Sequence, residues 1–248
     1  MRSGALTVVL PVRNEAVNLR AWWRSAAQHL PEGARVLVVH DFEDDDTLPV
    51  ARALADEGAP LRTLRSRGVG FPDALLTGLL AAERGPVLVT MADLSDDLAA
   101  LPRMLAAWAE GADLVVGSRF IAGGQVVGGS APKRWLARWG SLALHRLAAF
   151  PVRDASNAFR VYDAELVRRL RPEPSVGFEM AFALLLAAWQ AGARIVEVPV
   201  AWRGRERGAS HFRLRWIPRY GRLWVRALRH GLALRRKRTH EARRLERR

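Results

Sequence analysis

Four short apolar runs, each breaking off into polar residues, restrict this chain more than any other feature. They are Leu6–Val12 (LTVVLPV), Val36–Val39 (VLVV), Pro86–Met91 (PVLVTM) and Asp113–Gly117 (DLVVG). They are rich in β-branched residues and do not alternate apolar with polar positions. Runs of this kind suit parallel strands covered on both faces. Helical patterns follow them at Glu15–His29, Thr47–Glu57, Phe71–Arg84 and Leu98–Glu110. Strands and helices in alternation predict an open α/β fold, Rossmann-like, with a mostly parallel sheet flanked by helices. Ligands of such sheets collect at the carboxyl ends of the strands, so the polar segment after each run is where chemistry is expected.

The third run leads into VTMADLSDD, which places Asp93 just past a strand with Ser95, Asp96 and Asp97 beyond it. Hard divalent cations take carboxylate oxygens, and Mg²⁺ commonly keeps one or two protein carboxylates beside substrate phosphates. An Asp here is equally an ordinary helix N-cap, and the residues alone leave both readings open. The second run leads into VHDFEDDDT, where Asp41 and Asp45 can accept hydrogen bonds from a ribose hydroxyl or a base edge. LPVRNE joins the first strand to the first helix, where backbone N–H groups and the positive helix end face bound phosphates. Gly117–Arg119 closes the fourth run, and the Arg119 fork suits a phosphate as well as it suits a surface ion pair.

Beyond Arg119 the texture changes. Ile121–Ser130 (IAGGQVVGGS) is glycine-rich and reads as a mobile loop. Lys133–Ala149 reads as an amphipathic helix with Trp135, Leu136, Trp139, Leu142 and Leu147 on one side. A buried helix is expected at Phe178–Gln190 and a late strand at Arg194–Val200. Trp216–Leu234 is amphipathic with arginines between its apolar positions, and the nearly all-charged segment from Arg235 onward is expected to fray. The formal charge of +14 is uneven: residues 131–248 hold 27 Lys and Arg against 9 Asp and Glu, while residues 1–130 hold 12 against 16. The first half is built to hold cations and the second to meet anions. With no cysteine, disulfides and thiolate metal sites are excluded. Met1–Leu10 has no secretory pattern, and no apolar run is long enough for a spanning helix.

The ordered set LPVRNE, VVHDFEDDDT, RSRGVGFPDALLTGL, VTMADLSDD and VVGSRF resembles the family 2 glycosyltransferases, above all the dolichyl-phosphate and polyprenyl-phosphate mannosyltransferases. The likeness continues through DASNAFRVY (Asp154–Tyr162), GFEM, IVEVPVAW and RGASHF, and so covers about residues 5 to 215. It implies a GT-A fold and an inverting transfer of a sugar, mannose or glucose, from a nucleotide diphosphate to a lipid phosphate, with Mg²⁺ or Mn²⁺ as cofactor. By position, Pro11, Asn14, Glu15, Asp41 and Asp45 would line the donor pocket. Asp93, with Ser95, would hold the metal, and Arg119 and Arg134 would face the phosphates. Arg205 and Ser210 match the late loop near donor and acceptor. The chain departs from the family at Met91, which stands where the metal motif has its first acid, and at His40, Phe42 and His211.

A lipid phosphate is already ionised and needs no general base, whereas a hydroxyl acceptor would require one, with Asp93 or Asp154 as candidates. The expected organisation is a catalytic domain over 1–211, a basic amphipathic helical extension over 212–238 and a charged tail over 239–248. The extension, through Trp216, Trp224 and its arginines, would meet an anionic membrane surface, and the protein would sit at the cytoplasmic face. Alternatives are a transferase with a non-lipid hydroxyl acceptor, or a nucleotide-binding or nucleic-acid-binding protein without transferase activity. The acidic strand ends argue against nucleic acid as partner.

Overall fold

In a computed structural model of the chain, residues 2–170, 177–204 and 217–245 are described, without the side chains of 238 and 240–245. The four apolar runs form β1 (Thr7–Pro11), β2 (Arg35–His40), β4 (Pro86–Val89) and β5 (Leu114–Ser118), and the late strand forms β8 (Ile195–Pro199). Helices α1 (Ala16–Ala26), α2 (Thr47–Asp56), α3 (Phe71–Ala81), α4 (Leu101–Ala109) and α7 (Glu179–Gln190) lie within the predicted segments. The chain adds β3 (Leu61–Arg65) and β7 (Arg160–Asp163), so Asp93 follows the fourth strand rather than the third. One seven-stranded sheet has the order β3-β2-β1-β4-β7-β5-β8. All neighbours are parallel except β7, which runs antiparallel to both β4 and β5.

Both faces of the sheet are covered, as unbroken apolar strands require. Val9, Val39, Val87, Val89, Leu114 and Val116 point into a core shared with α3, α7 and two further helices, α5 (Ala131–Ala148) and α6 (Ala164–Arg169). Their alternates Val8, Leu10, Val36, Val38, Leu88 and Val115 join α1, α2 and α4 on the other side. The period of two along each strand thus divides one apolar run between two cores.

Three segments of the second half differ from their sequence reading. The glycine-rich stretch read as a loop holds β6 (Gln125–Val127), which pairs in parallel with β9 (Ala201–Arg203). The apolar stripe of α5 faces outward: the helix buries Ser141, Leu144 and Ala148 and leaves Trp135, Leu136, Trp139 and Leu147 exposed. The small Ser141 and Ala148 admit a last helix, α8 (Ile217–Leu245), at close range. A Cβ built on Gly231 would stand 2.0 Å from the Ala148 carbonyl oxygen, so α8 can lie there only with glycine at that position. α8 continues past Arg235 and Arg238 to Leu245, beyond the point where fraying is expected.

Candidate active site

The carboxyl ends of β1, β2 and β4 meet at one edge of the sheet, with β1 in the middle. Past β1, Asn14 takes a left-handed conformation (φ 55°), which Asn tolerates better than most residues. Its N–H donates to both oxygens of Asp45, at 3.1 and 3.2 Å, and the Thr47 N–H donates to Asp45 Oδ1 at 2.9 Å. The Glu15 N–H donates to Thr47 Oγ1, while the Glu15 carboxylate accepts from Asn18 Nδ2 at 2.7 Å. Asn14, Glu15 and Asp45 therefore brace the two loops against each other. Pro11 ends β1 beside them.

Asp41 is different. Its Oδ2 accepts from the Gly70 N–H at 2.7 Å and lies 3.5 Å from Arg13 Nη1. Its Oδ1 is buried and has no hydrogen-bond partner among the described residues. A buried carboxylate oxygen left unpaired carries a desolvation penalty, which a donor N–H or O–H from a ligand would remove.

On the far side of β1, the chain leaves β4 at Val89 and turns through Thr90–Asp97, with Leu94 at φ 63°. Asp93 Oδ1 accepts from the Ser95 N–H at 3.1 Å, and Ser95 itself is buried. Asp96, which sequence reading treats only as an accessory, anchors the turn: its Oδ2 accepts from Thr90 Oγ1 and from the Met91 N–H, both at 2.9 Å. Asp97 accepts from the Ala201 N–H, and the Arg203 N–H donates to the Ser95 carbonyl, tying the turn to β9.

Burial, reinforced by the nearby charge of Asp93, pushes the Asp96 carboxyl up to about 7, against the bonds from Met91 and Thr90. The unfolded chain releases this proton near pH ~4. The folded state therefore binds the extra proton between the two values, and its stability is full below that window and falls as pH rises through it. Melting temperatures measured in EDTA should decline from acid toward neutral pH, and Asp96→Asn should flatten that decline and melt higher at alkaline pH. An unchanged slope in the variant would place the titration elsewhere.

Arg119 follows β5 and is not free for a ligand in the way its position predicts. Its Nε and Nη2 form a fork on Asp154 at 2.7 and 2.9 Å, and Nη2 also donates to Ser156 Oγ. Asp154 is fully buried; burial alone would raise its carboxyl, but the Arg119 guanidinium outweighs this and holds it low. That leaves Asp154 poorly placed as a general base. The aromatic faces of Phe120 and Trp202 flank the Arg119 guanidinium. Arg134 donates from Nη1 to the Gly128 carbonyl at 2.6 Å, at the start of α5. Arg205 and Ser210 lie outside the described residues.

A mostly parallel sheet broken by one antiparallel strand, with acidic turns on both sides of its first strand, is a GT-A-like fold. Among solved structures it is similar to glucosyl-3-phosphoglycerate synthase from Mycobacterium tuberculosis in complex with Mn²⁺, UDP-glucose and phosphoglyceric acid. The TM-score is 0.64 and the identity 20%, covering 92% of this chain and 79% of that one. Residues 7–171 match glycosyl transferase family 2, and the chain belongs to that family. It is 35% identical over 219 residues to an uncharacterized glycosyltransferase of Mycobacterium tuberculosis, covering 85% of this chain and 90% of the relative. It is 32% identical over 208 residues to the undecaprenyl-phosphate mannosyltransferase of Micrococcus luteus, covering 82% and 85%.

Proposed function

We propose that the chain moves a hexose, mannose or glucose, with inversion, from a nucleotide diphosphate sugar to a polyprenyl or dolichyl phosphate. The observation that carries this reading is the Asp41 Oδ1, unpartnered among the described residues and two strands away from Asp93 at the same sheet edge. Adjacent strands lie ~4.8 Å apart, so the two tips are separated by roughly 10 Å, which suits a nucleoside at one and its diphosphate at the other. Asp41 accepts from the base or ribose, with Pro11 and the braced Asn14–Glu15–Asp45 loops forming the walls. The polyprenyl-phosphate acceptor rests on the named relatives, such as the Micrococcus luteus enzyme.

Among the described residues, no group of three His, Cys, Asp or Glu side chains stands close enough to hold a metal unaided. Asp93 with Ser95 fits the other arrangement, in which Mg²⁺ or Mn²⁺ is completed by the donor's phosphates. When bound, the ion neutralises charge on the leaving diphosphate. The acceptor phosphate brings its own ionised oxygen, so alignment with the anomeric carbon supplies much of the acceleration and no strong base is required. Arg119 positions the turn before β7 through Asp154; by the family resemblance Arg134 serves the phosphates, and Arg205 and Ser210, outside the described residues, serve donor and acceptor. The catalytic unit spans 1–211 and the basic extension follows it, with α8 running on to Leu245 into the charged tail proposed for 239–248, and the enzyme works at the cytoplasmic face of a membrane. Among the described residues no helix is long and apolar enough to cross one.

Calorimetric titration with GDP-mannose and UDP-glucose in Mn²⁺ tests the site. Asp41→Asn keeps an acceptor for the Gly70 N–H but turns the other oxygen into a donor that opposes the ligand. It should weaken binding of the preferred donor by about tenfold to a hundredfold. If neither sugar nucleotide binds the parent, or the variant binds as tightly, the donor-site reading falls.

A further inference from the structure

Trp135 and Trp139 are 65% and 47% exposed, and their rings lie 6.3 Å apart on a helix that packs its opposite face into the protein. At 100° per residue, Trp135, Leu136, Trp139 and Leu147 share the outer face, opposite Ser141, Leu144 and Ala148. A contiguous apolar surface of this kind marks an interaction site rather than ordinary exposure.

The surrounding charge decides what it meets. α5 contains no Asp or Glu, and α8 contains none before Glu241. Lys133, Arg138 and Arg146 are exposed on the same helix as the tryptophans, and α8 carries the exposed Arg222, Arg229 and Arg236. Two copies of such a surface would repel each other, whereas an anionic bilayer offers both negative headgroups and an apolar layer for indole rings.

The surface also lies at the end of the molecule that holds the acidic turn. The Ser95 carbonyl accepts from the Arg203 N–H on β9, β9 pairs with β6, and Arg134 in the first turn of α5 bonds Gly128 just past β6. Trp139 is nine residues from Ser130, roughly 14 Å along the helix axis. By contrast, the α8 seam that sequence reading assigns to lipid is largely occupied. Leu223 and Ala227 are buried, and Trp224 Nε1 donates to the Gly140 carbonyl at 2.9 Å.

We propose that the outer face of α5, led by Trp135 and Trp139 on a helix with exposed cations, is the surface by which this protein docks on an anionic lipid bilayer. The proposal deepens the lipid-acceptor reading, since it sets the acidic turn facing the membrane from which a polyprenyl phosphate is taken.

Co-sedimentation of the full chain with phosphatidylcholine vesicles, with and without phosphatidylglycerol, tests it. The parent should bind the anionic vesicles and not the neutral ones. The double variant Trp135→Ser/Trp139→Ser should bind them at least about tenfold more weakly. Trp135→Phe/Trp139→Phe should restore most of the binding. Because both residues are exposed, the serine variant should keep the parent's melting temperature and its transfer to detergent-dispersed polyprenyl phosphate. Equal vesicle binding by the serine variant and parent would overturn the proposal, as would equal binding to neutral vesicles. Sedimentation velocity showing a concentration-dependent dimer that the serine variant abolishes would assign the face to a second copy instead. Vesicle binding without any transfer to the lipid phosphate would sink the acceptor reading and leave the docking surface standing.

Discussion

Asp93→Asn is expected to lower transfer by about a hundredfold to a thousandfold, the usual loss when one group stabilising the developing charge is removed. The substitution keeps an oxygen for the Ser95 N–H, whose bond to Asp93 Oδ1 shapes the turn, so the fold should persist. Calorimetry should then show donor binding in EDTA unchanged and the increment given by Mn²⁺ gone. That split matters, because by the family resemblance Met91 stands where the metal motif has its first acid, which on the proposed reading leaves Asp93 to hold the ion against the diphosphate. Should the Mn²⁺ increment survive in Asp93→Asn and vanish in Asp96→Asn, the ion is held by the buried carboxylate instead, and the assignment of Asp93 is wrong.

Arg119→Leu should cost about 3–5 kcal/mol of stability, the usual result of stranding one member of a buried ion pair. Asp154 is fully buried, and three of its bonds come from Arg119: backbone N–H, Nε and Nη2. Against a total stability of about 5–15 kcal/mol, such a loss is large enough to read as a lower urea midpoint or as poor soluble yield. Asp154→Leu should cost a similar amount. The double variant Arg119→Met/Asp154→Leu should recover most of it, since paired apolar replacements of a buried ion pair are often neutral. If Arg119→Leu unfolds like the parent yet loses transfer, the arginine serves substrate rather than the fold, and the structural account fails.

Much of the sheet is legible from sequence because strands buried on both faces must be apolar throughout. β3 escapes that logic. It is an edge strand, with only Leu61 of its five residues buried, so its sequence LRTLR carries no apolar run. β7 escapes it for another reason. It opens with Arg160, fully buried and donating to the carbonyls of Ala155 and Ala181, acceptors that no local pattern announces. In α5 the periodicity identifies which residues share a face but not which face turns inward. Ser141 and Ala148 win the interior because their small size lets α8 approach. The candidate site shows the same division. Asp41 and Asp93 are visible as acids just past apolar runs, whereas the partner that claims Arg119 lies 35 residues away in the chain.

The antiparallel β7 has a mechanical consequence. Hydrogen-bonded to β4 on one side and β5 on the other, and buried along its length, it welds the nucleotide-side strands to those carrying Arg119 into a single plate. Such a plate has no joint about which two lobes could swing. Among the described residues, the segment before α3 and the β6–β9 ribbon project beyond its rim, and motions that admit substrate and expel product are expected in such peripheral segments. Turnover would be paced by those fringes, with the body of the enzyme held still.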